Sequence, residues 1–278
     1  ITKLINNTKF KIDKGDHLLD THTHILWNID DGSKNQCMSL QMLEIAARSG
    51  TKAIFATPHV IERANKPSWE EIKEKTQQLR QLCAEAQIDI MLYPGAEVQM
   101  NWELLPELGA TGAYCLNGGR YLLIELPAAE IPAYADEFWY ELELKGITPI
   151  LAHPERYQQL RENPDLLLLW RRRGMLMQCN SGSFTGMFGS SVCENAKVLL
   201  ANGLVDLLGS DGHRSEGRNT DMSRAAAVIR QLAGEEVLRQ LTETNPQAIL
   251  KNQEIELKQP KVLLAVSYTH LRAHETEA

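Results

Sequence analysis

The sequence predicts an α/β fold, a distorted TIM-like (β/α)7 barrel, and two observations carry that expectation. Short apolar segments alternate with amphipathic helical ones along most of the 278 residues, the pattern of a parallel sheet covered by helices. Segment after segment also ends in a histidine or a carboxylate, as strand ends do where a barrel gathers its reactive groups at one mouth. Seven such units suit a closed or nearly closed barrel better than an open sheet.

Residues 1–16 read as a polar, lysine-bearing leader and residues 17–257 as one domain. The first strand (17–25) carries Asp20-Thr21-His22-Thr23-His24. Strand side chains alternate, so His22 and His24 project to one side. Asp30-Asp31-Gly32-Ser33 is a turn, and Ser33 with Gln36 predicts a capping box. The helix behind it carries Leu40, Leu43 and Ala47 at helical spacing and stops near Gly50. Residues 52–59 form an apolar strand ending in Thr57-Pro58-His59, followed by a helix over 68–86. Residues 88–97 end in Pro94-Gly95-Ala96-Glu97, and 121–126 hold Glu125 at their end, with a helix over 132–145. Residues 147–153 end in Ala152-His153-Pro154-Glu155-Arg156, with a helix behind them to Arg173. Residues 175–180 end in Asn180-Ser181-Gly182 ahead of a helix over 190–202. Residues 204–210 lead into Asp211-Gly212-His213, and helices over 221–233 and 235–250 close the domain. Beyond about Leu257 the pattern stops. The tail 258–278, containing His270 and His274, reads in part as translated adapter sequence and is given no metal role.

Bulk properties exclude several function classes. A formal net charge of -7 argues against nucleic acid or an anionic membrane as the main partner. No apolar run reaches the roughly 18 residues that span a bilayer. The five cysteines (Cys37, Cys83, Cys115, Cys179, Cys193) include no CxxC pair, which indicates reduced, mostly buried thiols in a cytoplasmic protein. Nor can they serve a C-x5-R thiolate loop. The residues six positions on are Leu43, Asp89, Tyr121, Thr185 and Leu199, and Cys115 to Arg120 is one residue short.

The strand-end residues define the chemistry. Asp31, Glu97, Glu125 and Asp211 in one barrel mouth would repel one another, on the order of 4 kcal/mol for a pair about 4 Å apart at an effective dielectric near 20. Cations must compensate, or protons must. Mixed imidazole and carboxylate donors suit manganese, iron or zinc better than calcium or magnesium. Arg156 and Arg218 lie on loops above this mouth, where guanidinium forks match phosphate oxygens. Arg120 precedes a strand and belongs to the opposite face.

The ordered set HxH, Thr57-Pro58-His59, Ala152-His153-Pro154-Glu155-Arg156 and Asp211-Gly212-His213 resembles the motifs of the PHP (polymerase and histidinol phosphatase) superfamily. It is more similar still to the PHP-type protein-tyrosine phosphatases of bacterial capsule and exopolysaccharide operons, over about residues 17–250. The resemblance implies a PHP-type barrel with three divalent ions, usually Mn2+, with Fe or Zn as alternatives. By similarity, His22, His24, Glu97 and Asp211 hold the first ion. Glu97 bridges to a second ion held also by Glu125 and His153, and Asp31, His59 and His213 hold the third. Arg156, His59 and Asp31 are then expected in catalysis, with Arg156 and Arg218 on the substrate. Six positive charges against four negative ones leave the mouth attractive to a phosphate dianion. Two close metals can acidify a bridging water for attack on phosphorus, and phenolate, with a parent pKa of about 10, is a good leaving group. The implied partner is the phosphotyrosine tail of a membrane-anchored bacterial tyrosine autokinase. Alternative readings are a phosphatase of a small phosphomonoester such as histidinol phosphate, a PHP-type nuclease, and a non-catalytic subunit that only binds the kinase. Two positions depart from the pattern: Gly212 stands where alanine is expected, and Val60-Ile61 where polar residues are.

Overall fold

The computed structural model of the protein describes residues 17–109, 112–258 and 260. The expected leader and nearly all of the expected tail, with His270 and His274, lie outside the described residues. The described strands are β1 (Leu18–Thr23), β2 (Thr51–Ala56), β3 (His59–Val60), β4 (Met91–Pro94), β5 (Glu97–Gln99), β6 (Tyr121–Glu125), β7 (Thr148–Ala152), β8 (Leu176–Asn180) and β9 (Leu207–Gly209). They pair in parallel as a three-stranded sheet, β1-β2-β4, and a six-stranded one, β3-β5-β6-β7-β8-β9.

The two sheets are one curled surface with a step in it. Ala56 pairs with Pro94 below the step and His59 with Glu97 above it, so the register between the two bent strands does not change. Pro58 offers no N–H to a ladder, and its carbonyl accepts from Glu97 N at 3.0 Å. The expected strands 52–59 and 88–97 therefore each split in two at this level. Counted as bent strands, β2/β3 and β4/β5 give the seven staves expected.

Closure of the barrel is incomplete. β1 and the chain after β9 share one isolated bridge, Thr23 with Gly212, rather than a ladder. The carboxylate of Asp20 stands in for a strand there, accepting from Ser210 N at 2.8 Å. Two backbone bonds reinforce the contact, Asp211 N to His22 O at 2.8 Å and His24 N to Gly212 O at 2.9 Å.

Helices cover the outside: α1 (Gln36–Arg48), α2 (Trp69–Glu85), α3 (Ala135–Leu144), α4 (Gln158–Glu162), α5 (Asp165–Arg172), α6 (Ser181–Phe184), α7 (Ser190–Ala201), α8 (Ser223–Ala233), α9 (Glu235–Arg239) and α10 (Asn245–Leu250). The cap of α1 is Asn35, whose side chain accepts from Met38 N, and not the expected Ser33. Ser33 instead bonds Ser39 Oγ and the carbonyl of Asn35. The third unit carries 3-10 turns (Trp102–Glu107 and Leu116–Gly118) in place of an α-helix, with Pro106 inside the first. The helix expected up to Arg173 breaks into α4 and α5 at Asn163-Pro164.

Alternation along the strands sets what the barrel encloses. Tyr121 and Leu123 of β6, Ile150 and Ala152 of β7, Leu176 and Leu207 join Phe55, Ile249 and Ile255 in an apolar cluster inside the lower barrel. Two residues further along, the same inward positions become polar: Glu125 after Leu123, Gln178 and Asn180 after Leu176. A second, larger apolar cluster, including Met42, Leu43, Ile54, Ile72 and Leu79, lies between strands and helices. The apolar layer thus forms a floor, and the polar side chains stand on it at the C-terminal strand ends, where barrel active sites lie.

Candidate metal centre

His22 and His24 leave β1 on the same side, as the period of two requires. Both are fully buried. His22 Nδ1 lies 2.9 Å from Gln178 Oε1 and His24 Nδ1 2.7 Å from Asp30 Oδ2. Both partners are acceptors, so both Nδ1 atoms donate, and the two Nε2 atoms face each other across 3.1 Å. Glu97 Oε2 closes the same space at 3.1 and 3.2 Å from them, and Asp211 Oδ1 at 3.5 and 3.4 Å. Metal–ligand bonds of about 2.0–2.2 Å put neighbouring donor atoms roughly 3.0–3.5 Å apart. His22, His24 and Asp211 converge closely enough for one divalent ion, and Glu97 Oε2 stands beside the two histidines.

Two further groups adjoin the first. His59 Nδ1 stands 3.1 Å from Glu97 Oε2 and 3.3 Å from Glu125 Oε1, while His153 Nε2 lies 2.8 Å from the other oxygen of Glu97. Asp31 Oδ1 lies 3.7 Å from His59 Nε2 and 3.4 Å from His213 Nε2, with the His24 ring 3.9 Å from that of His213. The donor sets that converge tightly enough for an ion are His22-His24-Asp211, His59-Glu97-Glu125 and His24-Asp31-His59-His213. All nine expected ligand residues thus meet in one mouth. The partition differs from the expected one: His59 stands between the second and third groups and His24 between the first and third, Glu97 groups with the second set and not the first, and His153 reaches the centre only through Glu97.

The donor chemistry also fits cations on another count. Glu97 Oε2, Asp211 Oδ1, His59 Nδ1 and His213 Nε2 are buried and have no hydrogen-bond partner among the described residues. Buried polar atoms are seldom left so. Without a metal, protons must compensate. Burial pushes the pKa of His22 and His24 down, but Glu97 and Asp211 around His22, and Asp30 and Asp211 around His24, outweigh it and raise both. Burial likewise opposes ionisation of Glu97 and Asp211, yet the positive imidazoles hold both carboxyls well below their usual range. Burial and the charge on His24 push His213 down to about 4. The nearby His213 ring, 3.4 Å away, and the charges on His24 and His59 hold Asp31 low, and its side chain, 66% exposed, forms the solvent edge of the centre.

Backbone strain aims two of these groups. His153 (φ 37°) and Asp211 (φ 52°) both adopt the left-handed region just past a strand end. Each costs a non-glycine residue on the order of 1–3 kcal/mol, which the surrounding bonds must offset. Around Asp211 they do. Its Oδ2 accepts from Asn180 Nδ2 at 2.6 Å, from Arg156 Nη1 at 3.2 Å and from Arg218 Nη2. With Oδ2 occupied, Oδ1 faces the histidines. The two arginines, about one-third exposed, also flank the Phe188 ring, with their Cζ atoms 4.7 and 5.7 Å from its centroid.

Sequence reasoning missed the groups that hold the donors in place. Asp30, passed over for its neighbour Asp31, orients His24 and also accepts from Gly32 N at 2.9 Å and His59 N at 3.0 Å. Gln178 and Asn180 form a directed relay on β8. His22 Nδ1 donates to Gln178 Oε1, Gln178 Nε2 to Asn180 Oδ1 at 3.0 Å, and Asn180 Nδ2 to Asp211. Their spacing of two on a strand ending at the mouth was the available signal. Glycines make room: a Cβ on Gly209 would stand 2.6 Å from His22 Cβ and 2.8 Å from Gln178 Nε2. At Gly212 a Cβ would meet Thr220 Cγ2 at 2.8 Å, so the expected alanine needs Thr220 to shift. Val60, expected to be polar, is wholly buried in the core instead.

The chain is similar to known proteins over most of its length. A family model described as capsular polysaccharide synthesis, CpsB/CapC, matches residues 18–251. The tyrosine-protein phosphatase YwqE of Bacillus subtilis (strain 168) is 35% identical over 243 residues, covering 87% of this chain and 95% of the relative. A putative tyrosine-protein phosphatase, CapC of Staphylococcus aureus, is 31% identical over 201 residues, covering 72% and 79%. A solved chain from the crystal structures of YwqE from Bacillus subtilis and CpsB from Streptococcus pneumoniae, described as metal-dependent tyrosine phosphatases, superposes with a TM-score of 0.81. It is 33% identical, over 88% of this chain and 98% of that one. Matched by this family model over residues 18–251 and by a relative 35% identical over 87% of its length, the chain belongs to the CpsB/CapC family of capsular polysaccharide synthesis.

Proposed function

We propose that the protein is a metal-dependent protein-tyrosine phosphatase. It acts in the cytoplasm on the phosphotyrosine tail of a bacterial tyrosine autokinase and so regulates capsule or exopolysaccharide synthesis. The observation that carries this reading is the crowding of His22 Nε2, His24 Nε2, Glu97 Oε2 and Asp211 Oδ1 within 3.5 Å of one another's neighbours. Divalent ions relieve that crowding in place of the protons that His22 and His24 otherwise hold. The names of the relatives support the substrate, and the mixed nitrogen and oxygen donors support Mn2+, with Fe or Zn as the other candidates. His22, His24, Glu97 and Asp211 would hold one ion, Glu97, Glu125, His59 and His153 a second, and Asp31, His59 and His213 a third. Bound there, divalent ions supply positive charge to the phosphoryl oxygens and lower the pKa of water.

The chain's own residues do the rest. Arg156 and Arg218 share one oxygen of Asp211 and are partly exposed, so a phosphate dianion entering the mouth meets two guanidinium groups already gathered. Phe188 packs against both and fixes their planes. Gln178 and Asp30 keep the Nε2 atoms of His22 and His24 unprotonated toward the ions. A phenolate leaving group needs less protonation than an alkoxide, which agrees with a mouth where His213 is held neutral near pH 7.

The test is turnover of a phosphotyrosine peptide, a phosphoserine peptide and histidinol phosphate by protein reconstituted with Mn2+. The phosphotyrosine peptide is expected to be the preferred substrate, and His22→Ala to reduce its turnover to background. Alkylation with iodoacetamide is expected to leave activity intact, because Cys83, Cys115 and Cys179 are buried and burial pushes the Cys115 thiol up to about 12. Equal or faster turnover of histidinol phosphate, or loss of activity on alkylation, would overturn the reading.

A further inference from the structure

A groove of about 600 Å³ shares Glu125, His153 and Arg156 with the metal centre and extends away from it along residues 126–129 and α4. Its walls are pinned. Leu126 N donates to the Tyr157 hydroxyl at 2.9 Å, that hydroxyl donates to Leu126 O at 3.3 Å, and Ile131 N donates to Gln159 Oε1 at 2.7 Å. The segment after β6 is thereby held against α4 ready formed, rather than ordered by whatever binds.

Two features of this groove are unused by the fold. Ala128 and Ala129 are exposed, and their backbone groups make no hydrogen bond among the described residues. The chain bends at Ala128-Ala129, which leaves their N–H and C=O groups open to hydrogen bonds from an incoming peptide. Arg161, one helical turn beyond Tyr157 and half-buried, has no ion pair or side-chain hydrogen bond among the described residues. Buried Arg171 pairs with Asp206 and half-buried Arg214 with the carbonyls of Asp31 and Gly32, while half-buried Arg120 lies over the Tyr121 ring on the opposite face. Glu162, which lines the groove beside Arg161, takes a hydrogen bond from Gln158 Nε2 at 2.7 Å. A partly desolvated guanidinium gains most from a carboxylate supplied from outside.

We infer that this groove is a peptide subsite in which chain flanking the phosphotyrosine lies along residues 127–129 and an acidic side chain of that peptide pairs with Arg161. The inference rests on the phosphatase reading above and adds a sequence preference to it. Small neutral walls (Pro127, Ala128, Ala129) leave the peptide's other side chains unselected, so the preference falls on one position and one charge.

The experiment is steady-state kinetics of the Mn2+-loaded full chain on phosphotyrosine peptides that carry a single glutamate at successive positions, against the all-glutamine peptide. One position is expected to raise kcat/KM about five-fold, the size of a half-exposed ion pair, with the gain shrinking as salt is added. Arg161→Gln is expected to erase that glutamate-to-glutamine ratio, and Arg161→Glu to invert it toward lysine at the same position. No preferred position, or a preference that survives Arg161→Gln, overturns the subsite. Absence of turnover of p-nitrophenyl phosphate by the unaltered protein would instead overturn the phosphatase reading, and the subsite with it.

Discussion

Asp30→Asn isolates the support of the metal centre from the donors themselves. The buried carboxylate accepts three bonds, from His24 Nδ1 at 2.7 Å, His59 N at 3.0 Å and Gly32 N at 2.9 Å. Asparagine keeps the shape but offers one acceptor oxygen. If that oxygen faces His24 and His59, its NH2 opposes Gly32 N–H. If it faces Gly32, the NH2 opposes two donors, one of them His24 Nδ1. One donor is left unpaired at the least, and the anion that steadies a metal-bound imidazole is gone. Removing such a partner typically weakens metal affinity 10–100-fold, about 1.4–2.7 kcal/mol. Isothermal titration with Mn2+ should show that loss, with activity recovered at saturating metal. A Kd within about two-fold of the unaltered protein would refute the claim that Asp30 orients His24. A loss seen only as unfolding of the chelated protein would make Asp30 a structural residue instead.

Other outcomes follow from the same geometry. In metal-free protein His22 and His24 titrate above their usual value. Their stabilisation is therefore fully present below about pH 6.5 and is lost as pH rises through the folded values. Glu97 and Asp211, held low, act oppositely: their contribution is present above about pH 4 and is lost on acidification. Because binding a metal must expel the histidine protons, the gap in Tm between Mn2+-loaded and chelated protein is expected to widen from about pH 6 to about pH 8; a constant gap would contradict the proton count. Gly209→Ala drives a methyl group against His22 and Gln178. It is expected to cost about 1–3 kcal/mol in denaturant unfolding and to weaken Mn2+ binding, and unchanged values for both would show slack in the β8 relay.

Much of the centre was legible because its chemistry is written at strand ends. His22 and His24 share a face by alternation alone, and Glu97, Glu125, His153 and Asp211 each close an apolar run, so their meeting follows once the runs curl into one sheet. Asp30 was harder. In Asp-Asp-Gly either carboxylate can face inward, and the turn that lets Asp30 accept from Gly32 N and reach His24 depends on contacts local pattern does not carry. Gln178 and Asn180 gave only their spacing, since an amide becomes an orienting group only beside something to orient. The cap of α1 passed from Ser33 to Asn35 for a similar reason: Ser33 is drawn inward by Ser39 Oγ, whose position the tertiary fold fixes.

By itself, then, the sequence determined the alternating β–α order, the apolar floor with polar residues two positions further on, and the set of donors at the mouth. These depend on periodicity, which is local. The tertiary structure alone decided how donors are shared between ions, which of two aspartates faces inward, and that β1 meets the last stave at one bridge with Asp20 in place of a ladder. It also decided that Arg161 has no side-chain partner among the described residues beside the centre. Those outcomes depend on distances between residues far apart in the chain, and such distances exist only after the barrel has curled.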